Sequence, residues 1–97
     1  MATPIYRIYR GNLKEAWYQL SKKQQEALLA KVTRVLQEVG GKAVVRCQSD
    51  WSTEQAAFFG VEEFPNLEAL LKLEETHREL NWHRYVDGET VVGTKAE

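Results

Sequence analysis

Residues 4–10, Pro-Ile-Tyr-Arg-Ile-Tyr-Arg, mix aromatic and β-branched residues with arginines at the period of a strand. The pattern predicts a strand ended by Gly11-Asn12, with Tyr6 and Ile8 on one face and Ile5, Arg7 and Tyr9 on the other. Leu13 to Leu20 predicts a short helical turn that carries Trp17. Ser21 then suits a helix N-cap, with Gln24 three residues on as its capping-box partner. Leu28, Val32, Val35, Leu36 and Val39 follow on one helical stripe, with Lys, Arg and Gln opposite. That stripe makes Val35 and Leu36 core candidates. Gly40-Gly41 ends the helix, because glycine tolerates a left-handed cap.

The second half repeats the alternation. Lys42 to Ser49 predicts a strand with Ala43, Val45 and Cys47 on one face and Val44, Arg46 and Gln48 on the other. Asp50 to Thr53 is turn-rich, and Ala56 to Phe64 predicts a third strand. Gly60 inside it marks a bulge or the close approach of another group. The short link between these two strands favours antiparallel neighbours. Pro65 opens a second helix capped by Asn66, with Leu67, Leu70, Leu71, Leu73, His77 and Leu80 on its buried side. Asn81-Trp82 closes it. His83 to Val92 is extended, with Asp87-Gly88 as a turn signal that divides it into two short strands.

The order strand, helix, strand, strand, helix, strand predicts an α+β, ferredoxin-like βαββαβ fold. It is a four-stranded antiparallel sheet with both helices on one face, in one domain over residues 1–97. The other sheet face then needs cover. Whichever parity points outward, each strand presents apolar groups there, and a bare apolar sheet face is a liability. A homodimer with two sheets packed face to face resolves this. Arg7, Tyr9, Arg46, Gln48, Glu62 and Glu63 then become polar groups within or beside that interface.

Composition narrows the class. Hydrophobic content of 43% and charged content of 28% are those of a globular chain and exclude disorder. The net charge of −1 argues against a nucleic-acid partner, which would call for a basic patch. A lone cysteine excludes an intrachain disulfide and offers no thiolate metal pair. The N-terminus has no apolar signal core and no run reaches membrane-spanning length, so a cytoplasmic protein without membrane contact is expected. The charges divide unevenly: the first half of the chain is basic and the second acidic.

The segments Phe-Gly-Val-Glu-Glu-Phe-Pro-Asn-Leu-Glu-Ala-Leu (59–70) and Asn-Trp-His-Arg-Tyr-Val (81–86) resemble the dimeric α+β barrel superfamily. That group includes antibiotic-biosynthesis monooxygenases, stress-responsive barrel proteins, muconolactone isomerase-like proteins and haem-degrading enzymes. Its nearest member here is an uncharacterised bacterial family. The resemblance implies a homodimer, and if there is activity, a cofactor-free monooxygenase- or isomerase-like one. The haem-degrading branch uses an Asn, Trp and His set, and no Asn falls in the predicted first strand, so no cofactor is expected.

Candidate chemistry rests on few residues. His77 falls on the apolar stripe of the second helix, as a core histidine or as a general base facing a cavity. His83 alternates with Tyr85 onto one face of the predicted last strand. With Tyr6 or Tyr9, and with Arg46 for an anionic or phenolate-bearing compound, these residues form a candidate pocket for a phenolic or acidic small molecule. The competing reading is cross-strand aromatic packing with Arg46 paired to Glu62 or Glu63. No metal site is expected; Glu74-x-x-His77 is a single copy of a spacing that di-iron bundles use twice. A non-catalytic homodimeric accessory or regulatory module is the alternative to a small-molecule function.

Overall fold

A computed structural model describes residues 3–96. Four strands, β1 (Ile5–Leu13), β2 (Lys42–Gln48), β3 (Phe58–Phe64) and β4 (Val86–Gly93), form one sheet in the order β2-β3-β1-β4, antiparallel throughout. The helices are α1 (Glu15–Tyr18), α2 (Lys22–Glu38) and α3 (Leu67–Glu79), with a 3-10 turn at Trp82–Arg84. This is the ferredoxin-like α+β arrangement that the order of elements predicts.

The helix ends follow their sequence signals. Ser21 Oγ accepts from the Gln24 amide at 3.1 Å, and the Gln24 side chain accepts from the Ser21 amide at 2.9 Å. A cap of this kind is worth about 1 kcal/mol. Gly40 ends α2 with φ +82°, and Asn66 caps α3 by accepting from the Ala69 amide at 2.9 Å.

Several boundaries differ from expectation. β1 does not stop at Gly11-Asn12. Gly11 pairs with Gly88 and Asn12 with Asp87, so a glycine on each strand lets the backbones run on together. The same pairing absorbs Asp87-Gly88, which is not a turn, and β4 is continuous. β3 starts at Phe58, because Ala56 and Ala57 belong to the connection, where the Ala57 amide donates to Gly11 O. In α3, Leu67 and Leu71 are exposed and only Leu70, Leu73 and His77 are buried.

β2 carries the largest correction. A register shift between Ala43 and Val45 breaks its alternation. Ala43, Arg46 and Gln48 therefore share the face of Phe64 and the helices, while Val45 and Cys47 stand on the other. The core lies at one end of the helix face, where Leu36, Phe64, Leu70 and Leu73 pack together with Ile5, Val35, Val39 and Ala69 around them. Leu36 is the one buried residue of α2. Leu28 and Val32 continue its stripe but are half-buried, and the helix face of β2 is exposed at Ala43, Arg46 and Gln48.

Candidate functional site

The two faces of the sheet hold different chemistry. On the helix face, alternation puts Ile5, Arg7, Tyr9 and Gly11 of β1 opposite Phe64, Glu62, Gly60 and Phe58 of β3. Arg7 and Glu62 are buried, each with 8% exposure. Arg7 Nη2 lies 3.0 Å from Glu62 Oε1, and its Nη1 donates a short hydrogen bond to Glu74 Oε1 of α3. The contact to Glu62 is an ion pair without hydrogen-bond alignment, so Glu62 Oε1 still lacks a donor. Arg7 Nε is also buried without a partner, and so is Nε2 of His77, which lies three residues after Glu74. The guanidinium sits 5.6 Å from the centre of the Tyr9 ring, within cation–π range.

Tyr9 lies over Gly60. A Cβ at that position would meet the Tyr9 hydroxyl and Cζ, which makes Gly60 a close approach and not a bulge. Arg46 flanks the same spot, directly opposite Gly60 on β2. Among the described residues Arg46 makes no ion pair, so the competing bridge to Glu62 or Glu63 is absent and Arg7 takes Glu62 in its place.

Burial governs the protonation of this group. It holds the His77 imidazole down to about 4, with the Arg7 charge acting the same way. Burial pushes Glu62 up, opposed by Arg7 and Arg46. It also raises Tyr9, helped by Glu62.

The remaining candidates lie elsewhere. Tyr6 is on the opposite face of the sheet, where its hydroxyl donates to Glu63 at 2.8 Å; that bond raises its proton affinity. His83 is exposed in the 3-10 turn and not in a strand, and its carbonyl accepts from Lys14 Nζ at 2.9 Å. Tyr85 is half-buried, edge-on to Trp17 at 6.3 Å between ring centres. Trp17 also meets Trp82 edge-on at 6.1 Å, and Trp82 stands 6.3 Å from His77. The fold thus gathers Tyr9, Arg46 and the His77 group on the helix face. It places Tyr85 in an aromatic cluster at the turn and excludes Tyr6. Sequence reading passed over Arg7, Glu62 and Glu74 as site residues. The available signal was parity: Arg7 shares a face with Ile5, and Glu62 shares one with Phe64.

Because β1 runs on to Leu13, Asn12 does lie in the first strand. It has the parity of Ile8 and Arg10, away from the helices, and its Nδ2 donates to Gln55 O at 2.9 Å. His77, at 4% exposure, has no open side for an iron to approach, so these residues do not fit a haem. Among the described residues no three His, Cys, Asp or Glu side chains group as a metal site.

The open face has the reverse character. Val45, Val61, Ile8 and Val91 stand in register across all four strands, and Ile8 is 51% and Val91 67% exposed. Of the polar residues expected there, only Glu63 has this parity; Arg7, Tyr9, Arg46, Gln48 and Glu62 face the helices.

A ferredoxin-like sheet with a charged centre beneath its helices places the chain in a widespread α+β class. Within it, the chain belongs to a family of unknown function, DUF6616, whose model matches residues 7–97. No curated protein matches the sequence. Among solved structures it resembles a protein of unknown function, RPA0582, from Rhodopseudomonas palustris, with TM-score 0.72 and 19% identity over 100% of this chain and 85% of that one. It resembles chlorite dismutase from Candidatus Nitrospira defluvii in complex with imidazole, with TM-score 0.76 and 8% identity over 97% of this chain and 40% of that one. It also resembles SnoaB, a cofactor-independent oxygenase from Streptomyces nogalater, with TM-score 0.62 and 10% identity over 99% of this chain and 96% of that one. At these identities the likeness is one of fold. The chain spans well under half the length of the chlorite dismutase.

Proposed function

We propose that the chain binds or transforms a small phenolic or acidic molecule on the helix face of its sheet. The floor of the site is Tyr9 and Arg46, and the buried Arg7, Glu62 and His77 stand beside it. The observation that carries this reading is the pair of buried polar atoms without partners, Arg7 Nε and His77 Nε2. Leaving such atoms unpaired costs about 1–3 kcal/mol each, and a purely structural core avoids that cost with apolar side chains. SnoaB, of the same fold, is a cofactor-independent oxygenase, and chemistry of that type suits a site built from acid–base groups. Arg46 draws an anion or phenolate, Tyr9 supplies a wall, and the Glu62 carboxyl takes or gives a proton.

The same reading holds the protein to be a cytoplasmic homodimer closed through the open face. The exposed row from Val45 to Val91 supports the dimer, as does the length of the chlorite dismutase chain, which exceeds two copies of this one. No helix among the described residues is long and apolar enough to cross a membrane.

The competing reading is a non-catalytic dimeric module. It is favoured by Arg7 itself, whose charge two carboxylates already neutralise without a ligand. A thermal-shift screen of phenols, quinones and small acids separates the two. The small-molecule reading expects stabilisation by at least one phenolic or acidic compound, lost in Tyr9→Ala and Arg46→Ala. A screen in which no compound stabilises the protein overturns it.

A further inference from the structure

We propose that Glu74 is a built-in occupant of an anion site: its carboxylate holds the place on Arg7 that the carboxylate of an aromatic acid takes when it binds. The inference rests on the small-molecule reading above and narrows its substrate class to anionic aromatic compounds.

The two carboxylates on Arg7 are not equivalent. Glu62 belongs to the sheet, directly opposite Arg7 in register, and its side chain is 11% exposed. Glu74 comes from the helix layer and its side chain is 34% exposed. The first partner is fixed by the strand pairing. The second has a solvent path by which it can leave. Its departure frees Nη1 on the side of Arg7 away from Glu62. A guanidinium Nη freed in this way is a charge-assisted donor that an incoming carboxylate can take over in place of Glu74.

The surroundings suit a ring attached to that carboxylate. Tyr9 lies beneath Arg7 and stands 6.2 Å from Phe58, tilted by 54°, so two aromatic rings continue from the charged end. Arg46 marks the far side of Tyr9 with a second cation that has no ion-pair partner among the described residues. An aromatic acid would place its carboxylate on Arg7 and its ring along Tyr9. A hydroxyl on that ring would point toward Arg46 or the Glu62 carboxyl. A neutral phenol uses the ring and Arg46 but leaves Glu74 where it is. Displacing an internal carboxylate lowers apparent affinity by the fraction of molecules in which the site is free, so removing its charge restores that affinity.

The test compares 4-hydroxybenzoate with phenol by calorimetry on the wild type and on Glu74→Gln. The variant keeps the shape of the side chain, and Arg7 keeps Glu62. The expected result is 4-hydroxybenzoate bound about ten-fold more tightly by Glu74→Gln, with phenol changed by less than about two-fold. Should Glu74→Gln fail to fold, Glu74→Asp, which withdraws the carboxylate by one methylene, must shift affinity in the same direction. Unchanged or weaker 4-hydroxybenzoate binding, with phenol still bound, overturns the role of Glu74 and leaves the small-molecule reading standing. Failure of both probes to bind either protein overturns that reading and the inference with it.

Discussion

Beyond the apolar core at one end, the helix face of the sheet buries polar groups where the open face shows an apolar row. The face under the helices buries Arg7, Glu62 and His77, while the face without helices exposes a row of Val45, Val61, Ile8 and Val91. A protein selected only for its own core would place these the other way round, because burying charge costs several kcal/mol per ion and exposing an apolar row invites association. The charged interior points to chemistry within the chain, and the apolar exterior points to a second chain. Oligomeric state and stability should therefore respond to different residues.

The open face should show the largest effect. Ile8 stands mid-row on the central strand, and in a face-to-face dimer it counts twice. Ile8→Lys removes about 1.5–3 kcal/mol of apolar burial per copy and adds an ammonium group. Sedimentation at micromolar concentration should show twice the 11.2 kDa chain mass for the wild type and the monomer mass for the variant. A wild type that sediments as a monomer ends the comparison, since the apolar row then needs another explanation.

On the helix face, Arg7→Leu leaves Glu62 and Glu74 without their shared cation. Denaturant unfolding should show a loss of about 3–5 kcal/mol with the oligomeric state of the folded protein unchanged. The double variant Arg7→Leu with Glu62→Leu should recover part of that loss, because no buried carboxylate is stranded at that position.

The smallest effect concerns pH. His77 is held neutral with a folded value of about 4 against an ordinary value of 6.5, so the unfolded chain binds the extra proton first on acidification. The stability this provides is present above about pH 6.5 and is lost as the pH falls toward 4, by about 2–3 kcal/mol. Glu62 acts with the opposite sign: its raised proton affinity costs stability as the pH rises above its ordinary range. His77→Gln should flatten the slope between pH 6.5 and 4. An unchanged slope would place the responsible group elsewhere.

The order of elements and the helix ends were legible because they depend on local chemistry. Ser21 with Gln24, Gly40 and Asn66 act within a few residues of themselves, and each performs the role its type suggests. The extent of β1 and β4 was not legible, because Gly11 and Asp87-Gly88 read as breakers until each is seen as the other's partner. The face assignments in β2 failed for one reason, the register shift after Ala43, which no residue type announces. The candidate site was half visible. Tyr9, Arg46 and His77 were singled out by type, but Arg7, Glu62 and Glu74 matter through a meeting of three elements far apart in sequence. Tyr6 and Tyr9 could not be told apart while the buried face was undetermined.

The strand order also governs how the molecule is made. β1 sits in the middle of the sheet, yet its two neighbours are β3 and β4, and its Arg10 meets Glu89 across a separation of 79 residues. Only β2 and β3 pair through a local connection. Contact order is therefore high, and folding has to close long loops before the central pairings form, which slows it. During synthesis the Ile-Tyr-Arg-Ile-Tyr-Arg segment emerges before its partners and waits, unpaired on both edges, until they are translated. An unpaired apolar strand is a template for misassembly, and the arginines at positions 7 and 10 place charge in that segment while it waits.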